Sequence, residues 1–439
     1  MTELPTGWTT ATVGDIAELA DGPFGSNLKT AHYTEDGPRV VRLQNIGEGV
    51  FRDERAHITQ EHYEQLAKHA VLPGDILAAS LGLEAPRACL VPAWLGPAIV
   101  KADCVRVRTH DGIAPGFLMW MLNSPPVRKQ ASSLIKGVGR PRLGLGGIRQ
   151  LDIPLPPLNE QRRIEAVIEE QFSRLDATDE SLERAERRLG RLREALIGAA
   201  VSGAWPETPL ADVLVSLRNG IFVSRPAAEP PGTAIFRISA VRPLSLDVQD
   251  VRYAPISEEE CSDYLLNEGD LLFTRYSGNP EYVGACARVP LLPRPTLHPD
   301  KLIRVVVDRT KVDPAFVELA CAAGITREQI RARRKTTAGQ VGIAGGQLKS
   351  VPIPLPPLHE QQRIVTEVEQ QLSLIDAMRK AVEVAKRRSA ALHRSVLERA
   401  FQGELVPQDP NDEPAAILLG PIGGERPTAK PRRRGKATA

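Results

Sequence analysis

The sequence predicts an α+β protein. Two mixed α/β globules are each followed by a long helix, and the helices pair as an antiparallel coiled coil within a pseudo-two-fold internal repeat. One observation behind this prediction is a stretch used twice: residues 153–164 read IPLPPLNEQRRI and residues 353–364 read IPLPPLHEQQRI, with ten of twelve positions identical. The other is the change of pattern after each copy, where short apolar runs give way to about 40 residues with a heptad repeat.

Length and composition indicate a globular protein of more than one domain. The chain has 439 residues, of which 42% are hydrophobic and 25% charged, and this length exceeds what one hydrophobic core usually serves. It contains no apolar run of about 18 residues, so we expect no membrane span. The polar start is unlike a secretory signal, and five scattered cysteines without a CxxC pair are typical of a reduced cytoplasmic protein without a metal site.

The overall charge neither predicts nor excludes a nucleic-acid partner. The net charge is +2 and the pI is near 8.3, below the value of about 9 that marks many nucleic-acid-binding domains. Basic loops could still be segregated from the mixed-charge helices. An aromatic content of 4% argues against a stacking platform for single strands.

The two globules, residues 1–157 and 202–357, have the pattern of short strands separated by turns. β-Branched runs occur at residues 39–44, 75–79, 98–100 and 105–108, with Gly, Pro and Asp between them. The apolar run 117–123 predicts a buried helix that the two following prolines end. A glycine-rich loop is expected at 136–147, and residues 139–147 align with 339–347.

Residues 158–201 and 358–403 predict the two long helices. Apolar residues recur every seven positions in both, with Ser389 as the exception, and a second seam position is occupied three residues later by Leu192, Met378 and Leu392, among others. About 40 residues at 1.5 Å each would give a rod of roughly 60 Å. A long amphipathic helix cannot cover its own seam, so the helices are expected to pair with each other; the alternative is two core helices of a larger bundle. Residues 404–439 lose periodicity and predict a disordered basic tail.

No catalytic pattern accompanies this layout. The chain has no GxxxxGK[ST] loop and no HExxH, and its eight histidines do not cluster at metal-ligand spacing. Residues 123–126 (NSPP) and 279–282 (NPEY) only approach the Asn-Pro-Pro-aromatic motif of amine methylation, and turns are the simpler interpretation of both. We therefore expect a chain that is not itself an enzyme.

Polar and basic residues at strand ends and in the loops before each proline run are candidate DNA contacts. Arg, Gln and Asn pair with base edges in the major groove, and basic loops bind phosphates. The alternative for each single residue is a solvated loop side chain. The candidates are Arg39, Arg42, Gln44, Asn45, Lys136, Arg140, Arg142, Arg237, Ser239, Arg275, Tyr276, Asn279, Arg333, Arg334 and Lys335.

The repeated stretch forms a helix-start motif. Its members are Pro156, Pro157, Glu160, Gln161, Pro356, Pro357, Glu360 and Gln361. The prolines would stiffen the joint between globule and helix. The Glu and Gln fall in the first helical turn, where an acid suits the helix dipole, and helix initiation is their expected main role.

The doubled IPLPPLxEQxRI motif opening a heptad helix, each time after a globule of about 150 residues, resembles the specificity (S) subunit of type I restriction-modification systems. The opening residues Leu4, Pro5, Gly7 and Trp8 and the helix end at 400–405 (AFQGEL) match that family too, and the resemblance covers residues 1–405. It implies that the globules are target recognition domains, each reading half of a split double-stranded DNA site, and that the helices form an antiparallel spacer.

The resemblance also implies the partners. Two modification (M) subunits would dock on the helices and supply S-adenosylmethionine and adenine-N6 methylation. Restriction (R) subunits would add ATP- and Mg²⁺-dependent translocation and cleavage, and this chain would bind no cofactor itself. The main competing hypothesis is a coiled-coil scaffold that binds other proteins through its globules; a solitary nucleic-acid enzyme is the remote third.

Overall fold

β-Branched runs and the turn residues between them build the strands of both halves of the chain. The structure, a computed structural model, describes residues 4–23, 27–337 and 340–422. Residues 1–181 and 385–439 form a first unit, and residues 182–384 form a second unit. In the described part of the chain, no helix is both long and apolar enough to cross a membrane.

The described residues of the first half contain ten strands and five short α-helices before the first long helix. In chain order, they are β1 (Thr9–Thr12), α1 (Val13–Ile16), β2 (Ala17–Asp21), β3 (Tyr33–Val41), β4 (His57–Ile58), α2 (Gln60–Gln65), β5 (Ala70–Val71), β6 (Ile76–Ala79), β7 (Arg87–Leu90), β8 (Ala98–Val100), β9 (Cys104–Thr109), α3 (Pro115–Asn123), α4 (Pro125–Leu134), α5 (Leu145–Arg149) and β10 (Asp152–Leu155). The long helix α6 (Leu158–Val201) follows.

The second half repeats this plan. Its elements are β11 (Glu207–Pro209), β12 (Leu214–Asn219), β13 (Thr233–Phe236), β14 (Val241–Arg242), β15 (Ser245–Leu246), β16 (Val251–Ala254), β17 (Leu271–Thr274), β18 (Cys286–Arg288), β19 (Thr296–Leu297), β20 (Leu302–Val307), α7 (Pro314–Ala322), α8 (Gly324–Ala332), β21 (Lys335–Thr337), β22 (Gln340–Gly342), α9 (Gly345–Lys349) and β23 (Pro352–Pro354). The long helix α10 (Leu358–Gln402) and the short α11 (Ala415–Ile422) end the described chain.

The sheets confirm the internal repeat. An antiparallel sheet with the order β2-β9-β6-β7 in the first unit matches β12-β20-β17-β18 in the second. A second sheet pairs β3 with β8 in parallel, as β13 pairs with β19. In each globule the opening strand lies antiparallel to the strand that precedes the long helix, β1 with β10 and β11 with β23. The apolar half of the repeated motif is therefore a strand that closes its globule.

One turn recurs for a local reason. Gly74 and Gly269 have φ of 87° and 86°, a left-handed conformation that suits glycine. The next residue in each copy is a buried aspartate whose carboxylate accepts a backbone hydrogen bond across the turn, at 2.8 Å for Asp75 and 2.7 Å for Asp270. Asp75 pairs with Arg108 at 2.7 Å and Asp270 with Arg304 at 2.7 Å. The Gly-Asp pair thus fixes the start of β6 and β17.

The long helices pack antiparallel within each unit, as predicted. In the first unit, Ile168 near the start of α6 shares a hydrophobic core with Val396 near the end of α10. In the second unit, Ile197 near the end of α6 shares a core with Ile364 near the start of α10. The polar pair Arg193–Asp376, with 3.4 Å between Nη1 and Oδ1, adds a second-unit contact in the same sense.

The predicted second seam position is wrong for several residues. Leu192, Met378 and Leu392 are 52%, 44% and 53% exposed. Near the helix ends the buried residues include Ile197 and Leu397, which each lie one residue after a position of the first seam. Both residues pack against the globule as well as against the other long helix. The buried face of each long helix is therefore set by both neighbours and departs from a strict heptad.

The two prolines after residue 123 do more than end a helix. α3 ends at Asn123 as predicted, but Pro125 and Pro126 then occupy the first turn of α4, where the missing N–H costs nothing. Short helices, α5 and α9, also occupy the end of each glycine-rich segment, which was expected to be loop.

The prediction of a disordered tail from residue 404 is wrong for residues 404–422. Asp412 forms an ion pair with Arg163 at 2.7 Å, and the backbone N–H of Ala415 donates to the carbonyl of Gly7 at 2.9 Å. Leu418 packs against the first-unit core. The basic end of the predicted tail lies outside the described residues.

Replacing Asp270 with alanine should strongly destabilise the second unit. The change leaves the mostly buried Arg304 side chain without its carboxylate, and breaking a buried pair typically costs about 3–5 kcal/mol. Differential scanning calorimetry of the full chain should show a lower unfolding temperature. Asp263→Ala is the matched control, because Asp263 pairs with Arg218 at 3.1 Å with both side chains largely exposed. A similar effect of both changes would contradict the assigned role.

Candidate nucleic-acid interface

A buried glutamine fastens the first long helix to its globule. Gln161 is fully buried. Its Oε1 accepts a hydrogen bond from the backbone N–H of Ala114 at 2.8 Å, and its Nε2 donates to the carbonyl of Pro156 at 2.9 Å. Ala114 is the residue before α3. One side chain therefore ties together the start of the core helix α3, the proline run and the first turn of α6.

The second copy makes the same contacts. Gln361 is fully buried; its Oε1 accepts from the backbone N–H of Asp313 at 2.8 Å, and its Nε2 donates to the carbonyl of Pro356 at 2.7 Å. Asp313 precedes α7 as Ala114 precedes α3. Besides the helix initiation expected of them, the glutamines thus connect the long helix to its globule. The stiff joint expected from the prolines stays a prediction.

The neighbouring glutamates of the motif differ between copies. Glu160 is buried and accepts from Nε1 of Trp8 at 3.0 Å, and its burial raises the pKa of its carboxyl. Glu360 is partly exposed and pairs with Arg363 at 2.6 Å, which lowers the pKa of its carboxyl. In addition to the predicted interaction with the helix dipole, the glutamate therefore contacts a tryptophan in the first copy and an arginine in the second.

Three of the predicted DNA contacts line one cleft of about 820 Å³ in the second unit. They are Arg237, Ser239 and Asn279. Arg237 and Ser239 follow the end of β13, where a 3-10 turn redirects the chain, and Asn279 lies in the segment after β17. Candidates from two separate segments of the sequence therefore lie on one concave surface.

The arginine side chains of the cleft contact acidic and aromatic side chains of the same unit. Nη1 of Arg237 lies 3.0 Å from a carboxylate oxygen of Asp250, and Oγ of Ser239 donates to the same carboxylate. Half of the Arg237 side chain is exposed. Arg242 lies over the ring of Tyr282, with 4.3 Å from its guanidinium carbon to the ring centroid. The side chains are thus held in place before any ligand arrives.

Arg275 and Tyr276 flank this cleft without lining it. Nη1 of Arg275 donates to the carbonyl of Asp300, a cleft residue, at 3.3 Å. The Arg275 guanidinium lies 4.9 Å from the ring centroid of Tyr276. A Cβ at Gly342 would lie 2.2 Å from that ring, so a glycine is needed beside it. Both residues support the wall of the cleft.

The basic loop of the second unit is largely structural. Arg333 contacts Gln329 and Ser350. Arg334 is almost buried, with its Nη2 donating to the carbonyl of Val283 at 3.3 Å, and burial lowers its pKa. Lys335 is exposed. Of this predicted phosphate-binding set, only Lys335 projects freely into solvent.

At the corresponding strand end of the first unit, one candidate is buried and the other three are at least partly exposed. Asn45 is buried, and its amide nitrogen donates to two backbone carbonyls, so it shapes the turn. Arg39 pairs with Asp53 at 2.7 Å, and Arg42 donates to the carbonyl of Arg55 at 3.1 Å. Gln44 is exposed. Arg42 and Gln44 stand at the positions of Arg237 and Ser239, because each arginine precedes a 3-10 turn after a matching strand.

The basic loop of the first unit is held by Asp103. Arg140 and Arg142 lie 2.7 and 3.0 Å from its carboxylate oxygens, and Arg142 also reaches Asp21 at 3.0 Å. Arg140 keeps 72% of its side chain exposed, and Lys136 is exposed. Lys136 and Arg140 therefore remain able to meet a phosphate, whereas Arg142 is mainly structural.

Sequence reasoning missed two residues of the second-unit cleft. Phe222 lines it and is 73% exposed, and Lys301 lines the opposite segment. A signal existed for Phe222, because it lies in the short apolar run 221–223, which has polar residues on both sides. Lys301 sits in the Pro-Asp-Lys stretch at 299–301, a sequence that by itself indicates only a turn.

Comparison with known proteins gives two kinds of match. The sequence profile of the type I restriction modification DNA specificity domain matches residues 204–384. The EcoKI specificity subunit of Escherichia coli K12 is 31% identical, over 97% of this chain and 96% of that protein. The chain belongs to the family of type I restriction enzyme specificity subunits. The StySPI specificity subunit of Salmonella potsdam is 27% identical over the same shares of the two chains.

Solved specificity subunits share the fold. A chain solved in work on complex assembly and conformational transition of the type I R-M system aligns with a TM-score of 0.70 and 20% identity, over 92% of this chain and all of that chain. The HsdS subunit from Thermoanaerobacter tengcongensis aligns with a TM-score of 0.54 and 20% identity, over 92% and 98%. At this identity the likeness shows the α+β fold with its long helices and nothing finer.

Replacing Gln361 with alanine should loosen the joint between α7 and α10. The backbone N–H of Asp313 and the carbonyl of Pro356 would lose their partner, at about 1–3 kcal/mol for each unsatisfied group. Hydrogen exchange followed by mass spectrometry should show faster exchange around residues 311–318 and 356–364. Gln362→Ala is the control, because Gln362 is exposed. Unchanged exchange in Gln361→Ala would contradict the role of the glutamine as a fastener.

Proposed function

We propose that this chain is the DNA-reading subunit of a type I restriction-modification complex. Each globule reads one half of a bipartite double-stranded DNA site, and partner subunits carry out adenine-N6 methylation and restriction at the site so chosen. Family membership supports the DNA-specificity role. The observation that carries the assignment of a reading surface is the second-unit cleft, where Arg237, Ser239 and Asn279 meet on one concave surface.

The chemistry of the cleft suits base recognition. Arginine pairs with guanine O6 and N7, and asparagine pairs with adenine N6 and N7, each with about 1–3 kcal/mol of discrimination. Lys301 can meet a phosphate, and Phe222 offers an apolar surface to a thymine methyl or a sugar. The arginine and serine share Asp250, so they present a fixed pattern and not a mobile cation.

The first globule would read its half-site with the matching segment. Arg42 and Gln44 occupy the positions of Arg237 and Ser239 after a strand of the same sheet. A glutamine in place of serine reaches further and pairs bidentately with adenine. Lys136 and Arg140 would supply phosphate contacts. The two half-sites should therefore differ in sequence.

The division of labour leaves catalysis to partners. We assign this chain no catalytic step and no cofactor. S-adenosylmethionine, ATP and Mg²⁺ would be held by the two M subunits and the R subunits, and the complex would act in the cytoplasm. The competing scaffold hypothesis has no observation in its favour that family membership does not explain better.

The long helices offer matching apolar positions for partner docking. Leu192 on α6 and Leu392 on α10 are separated by the repeat interval and are 52% and 53% exposed. Leu192 lies in the second unit and Leu392 in the first. An exposed leucine at the same position of both copies suits two copies of one partner. We propose that each marks the docking face of one M subunit.

Arg237→Ala should relax recognition at one position of one half-site. Loss of a base-contacting arginine costs about 1–3 kcal/mol at that position. Methylation of a randomised DNA library by the complex with its M subunits, read by single-molecule sequencing, gives the result directly. Arg218→Ala is the matched control, because Arg218 is also an exposed arginine paired to an aspartate but does not line the cleft.

Two outcomes would refute the reading role of the cleft. One is an unchanged recognition sequence in Arg237→Ala; the other is a change in both half-sites. Absence of salt-dependent binding to duplex DNA, even by the complex with its M subunits, would instead favour the scaffold hypothesis, since phosphate contacts release counterions.

Leu192→Asp and Leu392→Asp should each remove one M subunit. A charge in the centre of an apolar contact must be desolvated, so docking on that face weakens. Native mass spectrometry should show one M subunit on each single variant and none on the double variant. Glu194→Ala is the control, because residue 194 points about 200° away from residue 192 around the helix. Two M subunits retained on the double variant would exclude these faces.

A further inference from the structure

Three possible metal ligands meet between the long helices of the first unit. Asp176 and Asp179 lie nearly one turn apart on α6, and His393 lies on α10. One ligand atom from each lies within 4.8 Å of the other two. Nε2 of His393 is 3.5 Å from Oδ1 of Asp176. Sequence spacing could not reveal this group, because the histidine comes more than 200 residues after the aspartates.

The imidazole is oriented as a ligand would be. Nδ1 of His393 lies 3.1 Å from the backbone carbonyl of Ser389. With the proton on Nδ1, Nε2 turns its lone pair toward the aspartates, and metal-binding histidines almost always donate their other N–H in this way. Phe172 packs edge-on against the ring, with centroids 4.6 Å apart, and so restrains its rotation.

The same place in the second unit is built differently. The repeat puts Arg193, Asp376 and Arg379 at the positions of His393, Asp176 and Asp179. Arg193 and Asp376 form an ion pair at 3.4 Å. The second unit thus has one carboxylate and two permanent cations where the first has two carboxylates and one imidazole.

Among the residues that the structure describes, neither Asp176 nor Asp179 is paired with an arginine or a lysine. Within the described residues, Asp179 has no hydrogen-bond or ion-pair partner, and Asp176 contacts only His393. Lys129 and Arg394 line the same open cleft but pair with neither aspartate in the described part of the chain. The hydroxyl of Ser389, one turn before the histidine, is buried and finds no partner in the described structure. Such a group normally has a water or an ion nearby.

We infer that His393, Asp176 and Asp179 form a binding site for a divalent transition-metal ion of the Zn²⁺ class. One imidazole and two carboxylates are ligands that Zn²⁺ accepts, with bonds of about 2.0–2.2 Å and therefore roughly 3.4 Å between tetrahedral ligand atoms. The histidine and Asp176 already have that separation, and rotation of the aspartate side chains brings in the third ligand. Water completes the coordination, and the ion joins α6 to α10.

Isothermal titration of the full chain with ZnSO₄, after treatment with a chelator, tests the site. We expect one saturable site, and Co²⁺ should give a visible absorption band on the same ligands. His393→Gln and Asp179→Asn should each raise the Zn²⁺ dissociation constant by about tenfold to a hundredfold. Asp376→Asn is the matched control at the equivalent place in the second unit and should leave binding unchanged.

Each other result overturns the inference. Absence of saturable Zn²⁺ binding leaves only an interhelical His–Asp contact. Zn²⁺ binding of equal strength in wild type and His393→Gln places the ion elsewhere, for example on the buried cysteines or on His32 and His62, whose ring centroids are 4.2 Å apart. The readout involves neither DNA nor partner subunits, so its outcome is independent of the proposed reading function.

Discussion

In each unit, one buried side-chain amide connects the globule to its long helix: that of Gln161 in the first unit and that of Gln361 in the second. An amide side chain has an acceptor and a donor in fixed geometry, so it can satisfy a backbone N–H and a carbonyl at once. Here these belong to the residue before the core helix and to the proline run before the long helix. Because both amides are fully buried, each hydrogen bond is strong and the loss of either partner is costly. No other side chain of similar size offers both groups without charge, which explains why the motif has glutamine and not glutamate there.

Around this fixed joint, the two copies have diverged where function requires difference. The sheets keep the same strand order, and the Gly-Asp turn keeps the same aspartate–arginine pair. The residues after the matched strands differ, with Gln44 in one copy and Ser239 in the other. A fold that is held together by main-chain contacts tolerates such side-chain differences, because the residues that differ are not those that stabilise the fold.

The fold was predictable from sequence to a large extent, and the site only in part. Heptads and proline runs are local patterns, so they predicted the long helices. The antiparallel sense of their pairing was expected from the family resemblance and from the position of the second globule between them. Arg237 and Asn279 were chosen as candidates because strand ends gather polar residues, and the structure places both in one cleft. Asn45 and Arg334 were misjudged, because burial and backbone partners decide whether a polar side chain is structural, and these depend on tertiary contacts. The same limit hid the role of Gln361 and the contacts of residues 404–422.

The low net charge of +2 agrees with the pairing of the candidate DNA-binding arginines to aspartates. Under the proposed function, Arg39, Arg140 and Arg237 each have an aspartate partner in the free protein. DNA must then compete with a carboxylate for each arginine. A phosphate is an anion like the carboxylate and competes with it for the positive charge, whereas a neutral guanine edge uses two N–H donors and can leave the others on the aspartate. Internal pairing therefore weakens non-specific binding more than specific binding. A subunit that has to find one site among many gains selectivity from low net charge, while its partners can supply the remaining phosphate contacts.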